Sequence, residues 1–125
     1  MSALASARTG LGIIGALCGA AGVAFSALAA HAGGDWLGTA AQFLLFHAPL
    51  FVALALLRPP GGVLMAAWGI LAGVILFSGD LLARHYLGDR LFPMAAPTGG
   101  FLMIAGWAGL AAMLLLIRRD GAPGP

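Results

Sequence analysis

The sequence predicts an all-α fold, specifically an integral membrane four-helix bundle, and three observations carry that prediction. Of 125 residues, 62% are hydrophobic and only 8% charged, and the mean hydropathy is +1.03. A soluble domain of this size has no use for so much apolar surface. The apolar residues fall into four runs, each close to the ~20 residues a helix needs to cross a ~30 Å hydrocarbon layer. Short stretches rich in Gly, Pro and charge, which end helices, separate the runs. The expected spans are about 9–30, 39–57, 63–82 and 99–117, in a single transmembrane domain covering residues 1–125.

The first span, Thr9–Ala30, follows Arg8. Its small-residue end (Ala27-Leu28-Ala29, Ala30-His31-Ala32) is reminiscent of a signal-peptide cleavage site. Its 22 residues are too many for the usual signal core, so an uncleaved helix is expected. Gly15, Gly19, Gly22 and Ser26 step by 4, 3 and 4 and draw one small-residue stripe down the helix. Such stripes let helix backbones approach closely, so this face should meet other helices. Cys18, the one cysteine, has no internal partner for a disulfide and reads as a small packing residue.

His31–Gly38 is expected to form a turn, with Gly33 and Gly34 stopping the helix and Trp36 at the membrane–water interface. Thr39 suits the N-cap of the second span. That span, Thr39–Leu57, is uncharged yet carries Gln42, His47 and Pro49. Polar side chains are costly in lipid and should face protein or water, which makes this helix the expected centre of the bundle. Pro49 removes a backbone donor and frees the Leu45 carbonyl, so a bend is expected there.

Arg58-Pro59-Pro60-Gly61-Gly62 breaks the chain before the third span, Val63–Leu82, where Gly69 and Gly73 offer another small face. Arg84–Thr98 is the longest expected loop. Gly99–Ile117, with Gly106 and Trp107, is the fourth span; Arg118 and Arg119 end it, and a disordered Gly/Pro tail is expected after them. Ala21–His31 (AGVAFSALAAH) echoes Ala72–His85 (AGVILFSGDLLARH) with three extra residues, as if the two hairpins were parallel repeats.

Basic residues set the orientation. Arg8, Arg58, Arg118 and Arg119 fall on one side and Arg84 and Arg90 on the other, which favours both termini in the cytoplasm. The net charge of +2 is scattered over loops and ends with no basic patch, so nucleic acid is not an expected partner.

Several short motifs, in order and over nearly the whole chain, resemble a known family. They are Ser26–Ala32 ending in Ala-His-Ala, Thr39-Ala40-Ala41-Gln42 with His47-Ala48, Leu76-Phe77-Ser78-Gly79, and Pro97-Thr98-Gly99-Gly100 followed by Gly106-Trp107. Together they resemble domain-of-unknown-function family 423, small four-span membrane proteins of bacteria with a mitochondrial relative called transmembrane protein 256. The resemblance implies the fold and a bacterial inner membrane, and it implies no activity.

The polar residues His31, Gln42, His47, Ser78, Asp80, Thr98 and Trp107 are the candidates for function or for packing. Counted inward from Thr39, His47 lies about 12 Å deep, level with Gly22 and with Gly106 and Trp107 on the other helices. It is expected to point into the bundle, either as a neutral imidazole bonded to a neighbouring helix or as a proton or ligand handle. Gln42 shares its depth with Ser78, which suggests a hydrogen bond between them. Asp80 and Arg84 are spaced for an ordinary i,i+4 ion pair near the interface. His31, Asp80, His85 and Thr98 fall at the outer end. Only His31 and His85 match in depth and both sit at helix ends, so neither a metal nor a haem is expected. No nucleophile with a base, no carboxylate pair and no phosphate loop stands out, and no catalytic residue is expected. Three function classes fit: a structural or accessory subunit of a membrane complex, a small oligomeric transporter or channel, and a quinone, lipid or haem binder. The bilayer is the expected surrounding, with a homo-oligomer or larger membrane complex as the expected assembly.

Overall fold

A computed structural model describes residues 2–120, with side chains to Arg118; the Gly/Pro tail lies outside the described residues. The chain forms four helices: α1 (Ala3–Ala32), α2 (Asp35–Leu57), α3 (Gly61–Leu87) and α4 (Ala95–Asp120). All four are long and apolar enough to cross a membrane, and the protein is an all-α membrane four-helix bundle.

The helices outrun the expected spans because their ends are capped by residues that lie outside the apolar runs. Ser2 accepts a hydrogen bond from the Ala5 amide and starts α1 at Ala3, well before Thr9. Thr39 is not the N-cap of α2: Gly34 takes that place, and only Gly33 and Gly34, both at positive φ, separate α1 from α2. Trp36 therefore lies in the first turn of a helix and not in a turn between helices. The second connection is also tight, Arg58 ending α2 in the left-handed conformation. The third runs only from Gly88 to Met94, so much of the expected loop is helical.

Neighbours in sequence are neighbours in space. α1 packs on α2, α2 on α3 and α3 on α4; α1 also grazes α3, while among the described residues the backbones of α1 and α4 do not meet, nor do those of α2 and α4. This row makes α3, not α2, the most buried helix, because α3 alone meets the backbones of all three other helices among the described residues. Its core residues Leu64, Ala67, Ile70, Leu71 and Val74 recur at steps of three and four and belong to one buried cluster with Phe51 and Leu44 of α2. The graze with α1 is tied near the start of α1 by the Trp68 indole, which donates to the Ala7 carbonyl at 3.3 Å.

Small residues set how closely each hairpin packs. A Cβ on Gly15 would stand 2.5 Å from the Phe51 Cβ, and one on Gly22 would stand 2.7 Å from Leu45, so α1 and α2 touch along Gly12, Gly15, Gly19 and Gly22. Ser26 departs from the stripe and is exposed; the next α1 residue against α2 is Ala29, opposite Gly38. In the second hairpin Gly73 meets the Gly99 carbonyl, and Gly106 meets Ile70. Gly69 has open space beside it, so the close face of α3 runs through Gly73 and Ile70 and not through Gly69 and Gly73.

Candidate functional site

His47 sits in the middle of α2 and is 7% exposed. Helical spacing puts it on the same side as Ala40, Leu44 and Phe51, the side that faces α3. Its Nδ1 lies 2.8 Å from the Phe43 carbonyl one turn back, and its Nε2 lies 3.1 Å from the Trp107 indole nitrogen on α4. An indole N–H can only donate, so Nε2 must carry a lone pair and Nδ1 the hydrogen. The pair of bonds is compatible with one state alone, the neutral Nδ1–H tautomer. Phe43 and Phe51 flank the imidazole, with ring centroids 6.1 and 6.3 Å away.

Trp107 reaches His47 across a gap that the backbones leave open. Phe43, His47, Phe77, Gly100, Met103, Ile104 and Trp107 line a groove of about 330 Å³ between α2, α3 and α4, open on one side. Trp107 itself is half exposed. The level estimated by counting inward brings His47 and Trp107 together, but Gly22 is not part of the group. Gly22 packs on Leu44 and Leu45, on the side of α2 turned toward α1. Two residues along a helix is about 200° of rotation, so Leu45 and His47 face opposite ways.

Gln42 and Ser78 do not meet. Ser78 is 1% exposed and its hydroxyl donates, at 3.5 Å, to the Ala40 carbonyl, while Gln42 points outward. The depth argument is right and the rotation is wrong.

The end of the bundle that carries the α1–α2 and α3–α4 connections holds a second polar cluster. Asp80 is 0% exposed, so it is more than an interface ion pair. One carboxylate oxygen takes Arg84 Nε at 3.0 Å and the other takes the Leu91 amide at 2.7 Å. The Arg84 guanidinium lies 5.1 Å from the centre of the Trp36 ring. Asp80 thus ties three things together: its own helix, the α3–α4 connection and, through Arg84, the first turn of α2. Sequence spacing gives the Arg84 contact but not Leu91 or Trp36, since no helical repeat links them to Asp80. Trp36, Arg84, Gly88, Asp89 and Arg90 line a shallow cup of about 210 Å³ here.

The other outer candidates are not drawn into this cluster. His31 is exposed at the end of α1, and Thr98 is exposed in the first turn of α4, its amide bonded to the Met94 carbonyl. His85 packs on Gly34 and edge-on against Tyr86. Among the described residues, no three His, Cys, Asp or Glu side chains gather as a metal site would require. Every buried side-chain nitrogen and oxygen among the described residues has a hydrogen-bond partner.

Four long apolar helices with tight turns and a fully paired polar interior define a small multi-pass membrane protein. Residues 18–100 match the family described as "Protein of unknown function (DUF423)", and the chain belongs to that family. Over 81 residues it is 36% identical to a UPF0382 membrane protein of Haemophilus influenzae, covering 62% of this chain and 64% of that relative. Over 89 residues it is 27% identical to the UPF0382 inner membrane protein YgdD of Escherichia coli K12, covering 69% of this chain and 68% of that one. The match therefore spans a little under two thirds of the first relative's length. No solved structure matches the chain.

Proposed function

We propose that this protein is a non-catalytic accessory or structural component of a bacterial inner-membrane complex, with both termini in the cytoplasm. One observation carries the reading: the buried polar side chains are already spent on each other and on the backbone. His47 has Phe43 and Trp107, Asp80 has Arg84 and Leu91, and Ser78 has Ala40. A proton relay or an ion path needs polar groups with capacity left over, facing water. Here the same groups fasten helices to one another. The orientation rests on charge: the ends of α1, α2 and α4 that carry Arg8, Arg58, Arg118 and Arg119 share one end of the bundle. Relatives named as inner membrane proteins support the compartment. Purification in mild detergent tests this function. A stable foreign membrane protein at fixed stoichiometry is the expected result, and a preparation that carries none argues against an accessory role.

The groove beside Trp107 favours a second reading, a binder of apolar molecules such as lipid or quinone tails. Its walls are Phe43, Phe77, Met103 and Ile104, and its polar atoms are already bonded, so it suits an apolar chain and not a polar head. Mass spectrometry of solvent extracts of the same preparation separates the two. One enriched lipid or quinone that disappears on Gly100→Leu supports the binder; bulk membrane lipid in both samples argues against it.

A further inference from the structure

The two hairpins are built to one plan. His31, Gly34, Asp35 and Leu37 recur as His85, Gly88, Asp89 and Leu91, each 54 places on (31 to 85, 34 to 88, 35 to 89, 37 to 91). One close contact keeps the same offset, although Gly69, 54 places from Gly15, has open space where Gly15 packs on Phe51. Gly12 meets Ala55 in the first hairpin, and Ala66 meets Gly109, 54 places further, in the second. Across His31–Leu37 and His85–Leu91 no three-residue insertion is needed to align the repeats. Thus α3 is the counterpart of α1, and α4 of α2.

The row of helices treats these counterparts unequally. α2 has a helix backbone against it on both sides, α1 and α3; its counterpart α4 has only that of α3 among the described residues, and reaches α2 through the Trp107 side chain. α3 is packed on both sides, by α2 and α4; its counterpart α1 lacks any helix on the equivalent side. Phe77 and Ser78 of α3 meet Phe43 and Ala40 of α2, with Phe43 and Phe77 ring centres 4.6 Å apart. Their counterparts on α1, Val23 and Ala24, are exposed, and so are Met94 and Pro97, the counterparts of Ala40 and Phe43. The positions that join the two hairpins inside the chain therefore recur at its two edges, where they carry other residues and stand bare.

We propose that a second copy of this chain covers these edges, α4 of one copy packing antiparallel on α1 of the next and continuing the α2–α3 interface. Pro97 stands against Val23 of the partner subunit as Phe43 stands against Phe77. Met94 stands against Ala24 of the partner subunit as Ala40 stands against Ser78. The contact is head-to-tail, so it repeats and forms a ring where the rotation closes. All copies keep one orientation across the membrane, because α4 and the next α1 run antiparallel as α2 and α3 do. The inference is independent of the accessory role and stands or falls without it.

Disulfide trapping in native membranes tests it. Two differently tagged chains are co-expressed, one with Val23→Cys and one with Pro97→Cys, both with Cys18→Ala, and oxidised with copper phenanthroline. Among the described residues no Cα of α1 lies within 8 Å of a Cα of α4 in the same chain, so a disulfide between these positions needs two chains. A mixed dimer band, absent when either variant is expressed alone, is the expected result. Phe43→Cys with Phe77→Cys in one chain joins faces already in contact and reports that the chain folds and the oxidant reaches the bilayer. Should Pro97→Cys fail to accumulate, Met94→Cys with Ala24→Cys repeats the test. A working control without the mixed dimer overturns the proposal, as does a Val23→Cys homodimer as strong as the mixed one.

Discussion

His47 joins α2 to α4 with one hydrogen bond, and that bond spans helices whose backbones never meet. Hydrogen bonds between membrane helices contribute about 0.6 kcal/mol on average and rarely above about 1.7 kcal/mol. Trp107→Phe keeps the ring and removes the donor; His47→Leu keeps most of the volume and removes the acceptor. Measured by unfolding in detergent, the two substitutions should be less than additive, with a coupling of about 1 kcal/mol. Additive effects would show that the bond contributes nothing. Asp80 is expected to matter more, because it is fully buried and serves two partners. Asp80→Asn keeps an oxygen for the Leu91 amide, and Asp80→Leu keeps none. Arg84 stays partly in water in either case, so the loss is that of an unpaired amide and a weakened ion pair, about 2 kcal/mol for Leu and about half that for Asn. Equal melting temperatures for the two variants would mean that the Leu91 bond is idle.

At the scale of helices, the glycines sort by what stands opposite them and not by the motif they belong to. Gly15→Ala drives a methyl to 2.5 Å from the Phe51 Cβ, next to a backbone that cannot swing away. Overpacking of this kind costs about 1–3 kcal/mol, and the α1–α2 hairpin should loosen. Gly69→Ala meets nothing within 4 Å. In a helix interior that change removes chain entropy from the unfolded state, so stability should hold or rise by about 0.5–1 kcal/mol. Melting temperatures of the two variants in one detergent decide the matter; similar losses at both positions would show that the motif governs packing and the contact does not. The reach of the helices beyond their apolar runs also belongs to this scale. Ser2 and Gly34 start α1 and α2 outside the hydrophobic windows, and hydropathy carries no information on such caps.

For the whole molecule, the arginine asymmetry predicts that reporter fusions after Arg58 and after Arg90 lie in opposite compartments, the first cytoplasmic. The same compartment for both would contradict four spans. How many helices there are, where they break and which end collects arginine were legible in the sequence, because each depends on local composition averaged over a whole run. The meeting of His47 with Trp107 was legible too, since a count of residues along straight helices gives depth. Rotation was not legible. Gln42 and His47 are both polar and both on α2, yet one points outward and one inward, and the hydrophobic pattern is too uniform around each helix to say which. The order of neighbours was likewise decided in three dimensions. Reading α2 as the centre followed from its polar residues, whereas α3 is the centre because the hairpins pack side by side in a row. Composition alone determined that this chain crosses a membrane four times. Which faces of those helices meet, that Asp80 closes over Leu91, and that two edges stay bare were decided only when close contact between small residues selected one rotation for each helix.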